Sequence, residues 1–253
     1  MAGHSKWANI KHKKARQDKK RGKVFSKISK KISSAARRGG GDPDVNHELR
    51  VYVEKAKAAN MPKDNIERAI LKATGQLEGV TYTDFTYEAY GPGGVAFMLE
   101  GSTDNKNRTV AHIRHIFDKH GGNLGESGCV AWMFHSRGII SISDDEVDDG
   151  DEFMMLALEY EAEDVEHEDG VFTITTAPEA FATVRDGLKE AGYNDFITDE
   201  VTKLAENTLS PELKTVKQNM SLLELLEDDD DIENVYHNLE LSDEVADALA
   251  SED

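Results

Sequence analysis

Tyr82-Thr83-Asp84-Phe85-Thr86-Tyr87-Glu88-Ala89-Tyr90-Gly91-Pro92-Gly93-Gly94-Val95-Ala96-Phe97-Met98-Leu99-Glu100 is where this 253-residue chain changes its hydrophobic period. From Tyr82 to Tyr90 the repeat is two, the period of a strand with one face buried. Gly91-Pro92-Gly93-Gly94 is turn chemistry, and Val95–Glu100 reads as the hairpin partner. Upstream the repeat is helical. Val24, Phe25, Ile28, Ile32, Ala35 and Ala36 line one face of a helix starting near Gly22, stopped by Gly39-Gly40-Gly41. A second helix is predicted from about Asp44 to Ala59, burying Leu49, Val53 and Ala56. Asn60-Met61-Pro62 breaks it, and a third packs Ile66, Ala69 and Ile70 before Gly75.

Downstream, Asp104 or Asn105 caps a helix reaching Lys119, and Cys129–His135 reads as a strand. The segment from Gly138 then alternates in a fixed order: strand Ile139–Ser143, helix Glu152–Tyr160, strand Asp164–His167, strand Val171–Thr175, helix Glu179–Ala191, strand Phe196–Leu204. That βαββαβ order is the split βαβ of ferredoxin-like domains. A helix Leu213–Leu226 and a strand Ile232–Tyr236 follow. The predicted fold class is α+β with three domains: an N-terminal helical bundle, then two α/β domains, the third (ferredoxin-like) inserted in the second. The expected boundaries are 1–79 for the basic arm and three-helix domain and 80–136 with 207–240 for the discontinuous domain. The insertion takes 137–206, and an acidic tail, 241–253, is expected to fray.

The net charge of −19 hides two opposite parts. Residues 1–75 hold 20 Lys and Arg against 7 Asp and Glu, whereas residues 76–253 hold 10 against 42. Residues 1–38 alone carry 14 basic side chains and one acid, Asp18. This is the pattern of a nucleic-acid-binding arm on an acidic body. Lys6, Lys11, Lys13, Lys14, Arg16, Lys19, Lys20, Arg21, Lys23, Lys27, Lys30, Lys31, Arg37 and Arg38 are the candidate phosphate contacts. Trp7 and His12, with His4, add rings able to stack on bases. Lysines outnumber arginines 10 to 4, which favours backbone contact over bidentate reading of guanine. A solvated, solubilising face is the alternative.

A second candidate contact lies within the acidic part. Lys106, Arg108, His112, His115 and Lys119 fall on one stretch, the last four at spacings that stack them on one helical face opposite Ile113, Ile116 and Phe117. Here too a solvated face is the alternative. His112 and His115 lack a third ligand, so no metal is expected. Gly121-Gly122-Asn123-Leu124-Gly125 lacks the spacing of a phosphate-binding loop, and is either a turn or a close approach to a nucleic-acid backbone.

Catalysis finds no motif: there is no G-x-S-x-G elbow and no H-E-x-x-H pair. Cys129, the single cysteine, sits among Val130, Trp132 and Phe134 as if in a buried strand, which raises a thiol pKa. Asp228-Asp229-Asp230-Asp231 reads as a solvated acidic turn, since consecutive carboxylates cannot all converge on one ion. No catalytic residue, cofactor, small-molecule substrate or membrane contact is expected. The one cysteine, together with apolar runs far short of a bilayer span and no signal-peptide core, fits a reducing cytoplasm.

Met1-Ala2-Gly3-His4-Ser5-Lys6-Trp7-Ala8-Asn9-Ile10-Lys11-His12-Lys13-Lys14 closely resembles the opening of the YebC family, to which the mitochondrial translational activator of cytochrome c oxidase subunit I is related. The resemblance continues through Gly39–Pro43, Lys55–Ile70, Tyr90–Gly94, Thr103–Thr109, Gly121–Gly125 and Asn234–Asn238, to about residue 245. It implies a helical first domain and two α/β domains, the third inserted in the second. It further implies a DNA-binding transcriptional regulator, or a ribosome-associated factor that binds ribosomal RNA and eases synthesis of sequences such as proline runs. The chain departs from the family pattern at His47-Glu48, where Pro and Arg are expected, and at Ser127-Gly128-Cys129. The first departure exchanges a basic contact for an acid.

Overall fold

The computed structural model describes residues 21–75 and 82–250. In chain order the elements are α1 (Arg21–Gly39), α2 (His47–Ala58), α3 (Lys63–Ala73), β1 (Thr83–Tyr90), β2 (Ala96–Thr103), α4 (Lys106–Lys119), β3 (Asn123–Leu124) and β4 (Phe134–Ser143). They continue as α5 (Gly150–Glu159), β5 (Asp164–Glu168), β6 (Val171–Thr176), α6 (Phe181–Glu190), β7 (Phe196–Ala205), α7 (Leu213–Asp228), β8 (Ile232–His237) and α8 (Asp243–Ala250). The fold is α+β. Its described residues pack as two units, one of 21–75, 82–129 and 217–235, the other of 130–216 and 236 onward.

In the first unit, α1 packs on both α2 and α3. Ile32, Ala35 and Ala36 meet Leu49, Val53, Ala56, Met61, Ile66 and Ala69 in one core, each of these less than a tenth exposed. That agrees with the helical stripe read from sequence, with Phe25, Ile28 and Ile70 at its edge. Asn46 joins two helices. Its Oδ1 accepts the Leu49 N–H at 3.0 Å as the N-cap of α2, and its amide donates to Ala35 O at 2.9 Å and Gly40 O at 2.8 Å. The same side chain therefore satisfies orphan groups at the end of α1 and the start of α2.

The first sheet has the order β3-β1-β2-β8. β1 and β2 form the predicted hairpin, pairing Thr83 with Thr103 and Tyr90 with Ala96. Gly93 and Gly94 in its turn take φ of +72° and +82°, which explains the glycines. Asn105 caps α4, and Ile113, Ile116 and Phe117 enter the core as expected. β8 joins this sheet after the long excursion through the second unit.

The second unit is built around the βαββαβ element. Its strands lie in the order β5-β6-β4-β7 and every neighbouring pair is antiparallel, the ferredoxin-like arrangement. α5 and α6 contribute Phe153, Ala157, Val184 and Leu188 to a core with Ile140, Ile142, Phe172 and Ile174.

Three local expectations are corrected. Cys129–His135 is not a strand: Cys129 lies in a bend, Ala131–Met133 form a 3₁₀ turn and leave Trp132 60% exposed. β4 instead runs unbroken from Phe134, because Ser136, Arg137 and Gly138, too polar and small to carry a period, are paired with Lys203, Thr202 and Val201 of β7. In the described part of the tail expected to fray, Asp243–Ala250 form α8, with Leu241 and Val245 buried. Last, the Asp228–Asp231 turn is only half solvated: Asp228 and Asp230 are exposed, Asp229 and Asp231 half-buried.

Candidate nucleic-acid interface

Lys6, Trp7, Lys11, His12, Lys13, Lys14, Arg16, Lys19 and Lys20 lie outside the described residues, as do the side chains of Arg21 and Lys23. What is described is the face of α1 that follows them. Lys27, Lys30, Lys31 and Arg37 are half-buried there and Arg38 is exposed. Most of these cations are engaged inside the chain. The Lys31 ammonium lies 5.5 Å from the Tyr52 ring centroid. Arg37 donates to Asp84 at 2.8 Å. Arg38 donates to Ser34 Oγ at 2.8 Å and pairs with Glu48. The acid at position 48 thus holds an arginine of the basic helix.

Lys30 makes the connection that sequence spacing hides. Its Nζ lies 4.0 Å from Asp231 Oδ1. On the other oxygen of Asp231, Thr109 Oγ1 donates at 2.7 Å, Thr103 Oγ1 at 3.2 Å and Arg108 at 3.3 Å. Arg108 also pairs with Asp104 at 2.7 Å. Asp229 accepts the Asp231 N–H at 2.7 Å and lies 3.2 Å from His112 Nε2. The two basic stretches, one on α1 and one on α4, therefore meet at a single carboxylate. Burial works against ionising Asp231, but the hydrogen bonds from Thr109 and Arg108, the Lys30 charge and Thr103 outweigh it and hold its pKa below the ordinary aspartate range. Lys106, Arg114, His115 and Lys119 stand exposed along α4 beyond this junction.

Beside the junction Glu233 accepts from Ser102 Oγ at 2.7 Å. Burial pushes its pKa up, against the Ser102 hydrogen bond and the nearby Arg38.

The glycine loop has a packing explanation. A Cβ at Gly122 would lie 2.5 Å from Tyr90 O, and the loop is tied down by Gly125 N–H to Glu88 O at 2.8 Å and Gly128 N–H to the Glu88 carboxylate at 2.6 Å. Burial, then the neighbouring Glu88, raises the Cys129 thiol pKa, the expected direction although the residue is not in a strand. Among the described residues no cluster of three or more His, Cys, Asp or Glu is placed to hold a metal ion. Sequence reasoning missed Asp231, Thr103 and Thr109, and no local signal marks them: the contacts join residues more than 120 positions apart.

A basic helical domain leading an acidic α+β body, with its sheet interrupted by a ferredoxin-like unit, defines the class. Residues 5–76 match the TACO1/YebC protein N-terminal domain, and residues 82–239 match the TACO1/YebC second and third domain. The chain belongs to the TACO1/YebC family. It is 54% identical over its full length, and that of its relative, to a protein of Halothermothrix orenii named "Probable transcriptional regulatory protein". A relative of the same name in Dictyoglomus turgidum is 52% identical over 99% of this chain and 100% of its own. The crystal structure of a conserved hypothetical protein from Aquifex aeolicus superposes with a TM-score of 0.80 at 42% identity, covering 90% of this chain and 93% of that one.

Proposed function

We propose that this chain is a non-enzymatic, cytoplasmic nucleic-acid-binding regulator of gene expression, acting as a DNA-binding transcriptional regulator. The observation that carries this reading is charge segregation: 14 Lys and Arg against one acid in residues 1–38, on a chain whose net charge is −19. The name carried by its relatives, probable transcriptional regulatory protein, supports it. In this reading Lys6 through Lys23 are the main phosphate contacts, with Trp7 and His12 stacking. Lys27, Lys30, Lys31, Arg37 and Arg38 extend the contact along α1. Lys106, Arg108, His112, His115 and Lys119 provide a second contact beside it. No described helix is long and apolar enough to cross a membrane.

A second reading, a ribosome-associated factor binding ribosomal RNA, is favoured by the occupation of Arg37 and Arg38 by Asp84, Glu48 and Ser34. Arginines so held are poorly placed to read guanine edges, leaving a lysine-rich surface suited to the backbone of folded RNA. Binding to a promoter fragment and to scrambled DNA across a salt series, with sedimentation in lysate gradients with and without RNase, separates the two. A promoter preference that survives moderate salt, with free sedimentation, is the expected result for a transcriptional regulator. Equal binding to both DNAs with RNase-sensitive comigration with ribosomes establishes the translation factor instead.

A further inference from the structure

We propose that the outward face of α5, in the ferredoxin-like unit, docks a Lys/Arg-rich amphipathic segment of a partner protein. Residues 138–184 contain 15 Asp and Glu and no Lys or Arg, the reverse of residues 1–38. α5 lies inside this stretch. Its inner face is spent on the core through Phe153 and Ala157. Its outer face leaves Met155 72% exposed and Leu158 52% exposed, three residues apart and therefore adjacent on the helix. Asp151 and Glu152, one turn before Met155, and Glu159, one turn after it, are exposed as well.

Scattered surface apolar residues need no explanation, but two large neighbours framed by carboxylates form a surface with defined chemistry. Methionine supplies an adaptable, polarisable contact. Lysine or arginine stems would cover Met155 and Leu158 while their heads reach the flanking carboxylates. On α6, the helix packed against α5, the cations are engaged elsewhere: Arg185 is paired with Asp186 at 2.8 Å and Lys189 lies over the Phe196 ring. Charge complementarity selects the occupant. Nucleic acid and anionic membranes are repelled, and a two-fold contact between copies would set like charge against like charge. A basic protein segment gains on both counts. This surface is independent of the nucleic-acid reading and stands or falls separately.

The test uses the full chain and a labelled Lys/Leu helical peptide of about 18 residues, with leucines at i, i+3, i+4 spacing. Its control has serine in place of every leucine. The Lys/Leu peptide binds, and hydrogen-exchange protection localises to Gly150–Glu159. Met155→Ser with Leu158→Ser weakens binding about tenfold without shifting Tm, and the serine peptide binds wild type about as weakly. Glu152→Lys with Glu159→Lys, which leaves the apolar pair intact, also weakens it and flattens the salt dependence. Equal binding of the two peptides, or unchanged binding by both variants, overturns the proposal. So does loss of self-association in the Met155/Leu158 variant, which makes the occupant a second copy. Tighter peptide binding after deletion of residues 2–20 overturns it too, since the chain's own basic segment is then the occupant.

Discussion

Asp231 and Glu233 lie two residues apart and face opposite electrostatic situations. Asp231 is ionised more easily in the fold than in the unfolded chain, so its contribution is present above the free aspartate pKa of about 3.9 and is lost as pH falls through its lower folded value. Glu233 is ionised less easily, so its contribution is present in acid and lost as pH rises through its raised folded value. Asp231→Asn should cost about 1–2 kcal/mol at neutral pH, partial exposure screening the charges, and should flatten the acid limb of the stability curve. Glu233→Gln should hold or raise neutral stability and steepen the acid loss, because the Ser102 bond survives on an amide oxygen. Urea unfolding of both variants between pH 3 and 8 checks the pair; identical curves for the two would contradict the opposite signs. Neither role was legible in sequence. Asp231 is one of four consecutive aspartates, and only the approach of Thr103, Thr109, Arg108 and Lys30 singles it out.

At the scale of elements, the helical domain rests on periodicity and on one cap. Ile32 is fully buried at the centre of α1, and Ile32→Ala should cost about 2–5 kcal/mol by transfer and cavity terms. Asn46→Ala removes the α2 cap and the two bonds that close α1, and should cost about 1–2 kcal/mol with α1 and α2 loosening together. Hydrogen exchange detects that coupling as lost protection in both helices, whereas a cap acting on α2 alone would spare α1. Gly101, on β2, is required by the close approach of the Asp231 carbonyl, so Gly101→Ala should overpack the β2–β8 contact by about 1–3 kcal/mol, read as a lower Tm. The helices and the βαββαβ order were legible because each buries one face at a regular spacing. The period of β4 breaks off at Ser136-Arg137-Gly138, where backbone pairing with β7 continues the strand whatever the side chains are.

For the molecule as a whole, the proposed function rests on where charge collects. Residues 2–20 hold seven Lys and Arg. Their deletion should abolish nucleic-acid binding at moderate salt and lower the slope of log K against log salt by up to about six. Fluorescence anisotropy across a salt series reads both quantities, and an unchanged slope would mean that these cations do not meet phosphate. Single removal of Lys106 or Lys119 should weaken binding only slightly, as expected of peripheral contacts. The acidic stretch 138–184 should have no effect on nucleic-acid affinity beyond general repulsion, its own partner being tested by the α5 variants.

The helical stripe, the hairpin, the βαββαβ order and the segregation of charge are all legible without coordinates. Each of these depends on side chains close along the chain or on a sum over a segment, and such quantities survive without coordinates. Packing decided which cations are engaged: that Lys30 and Arg108 share Asp231, that Arg37 and Arg38 are held by Asp84 and Glu48, and that His112 meets Asp229. It also decided that Met155 and Leu158 face outward. The physical reason is range. Helix and strand periods are set by neighbours a few residues away, whereas an ion pair or a buried face requires distant segments to be brought together by the packing of the cores.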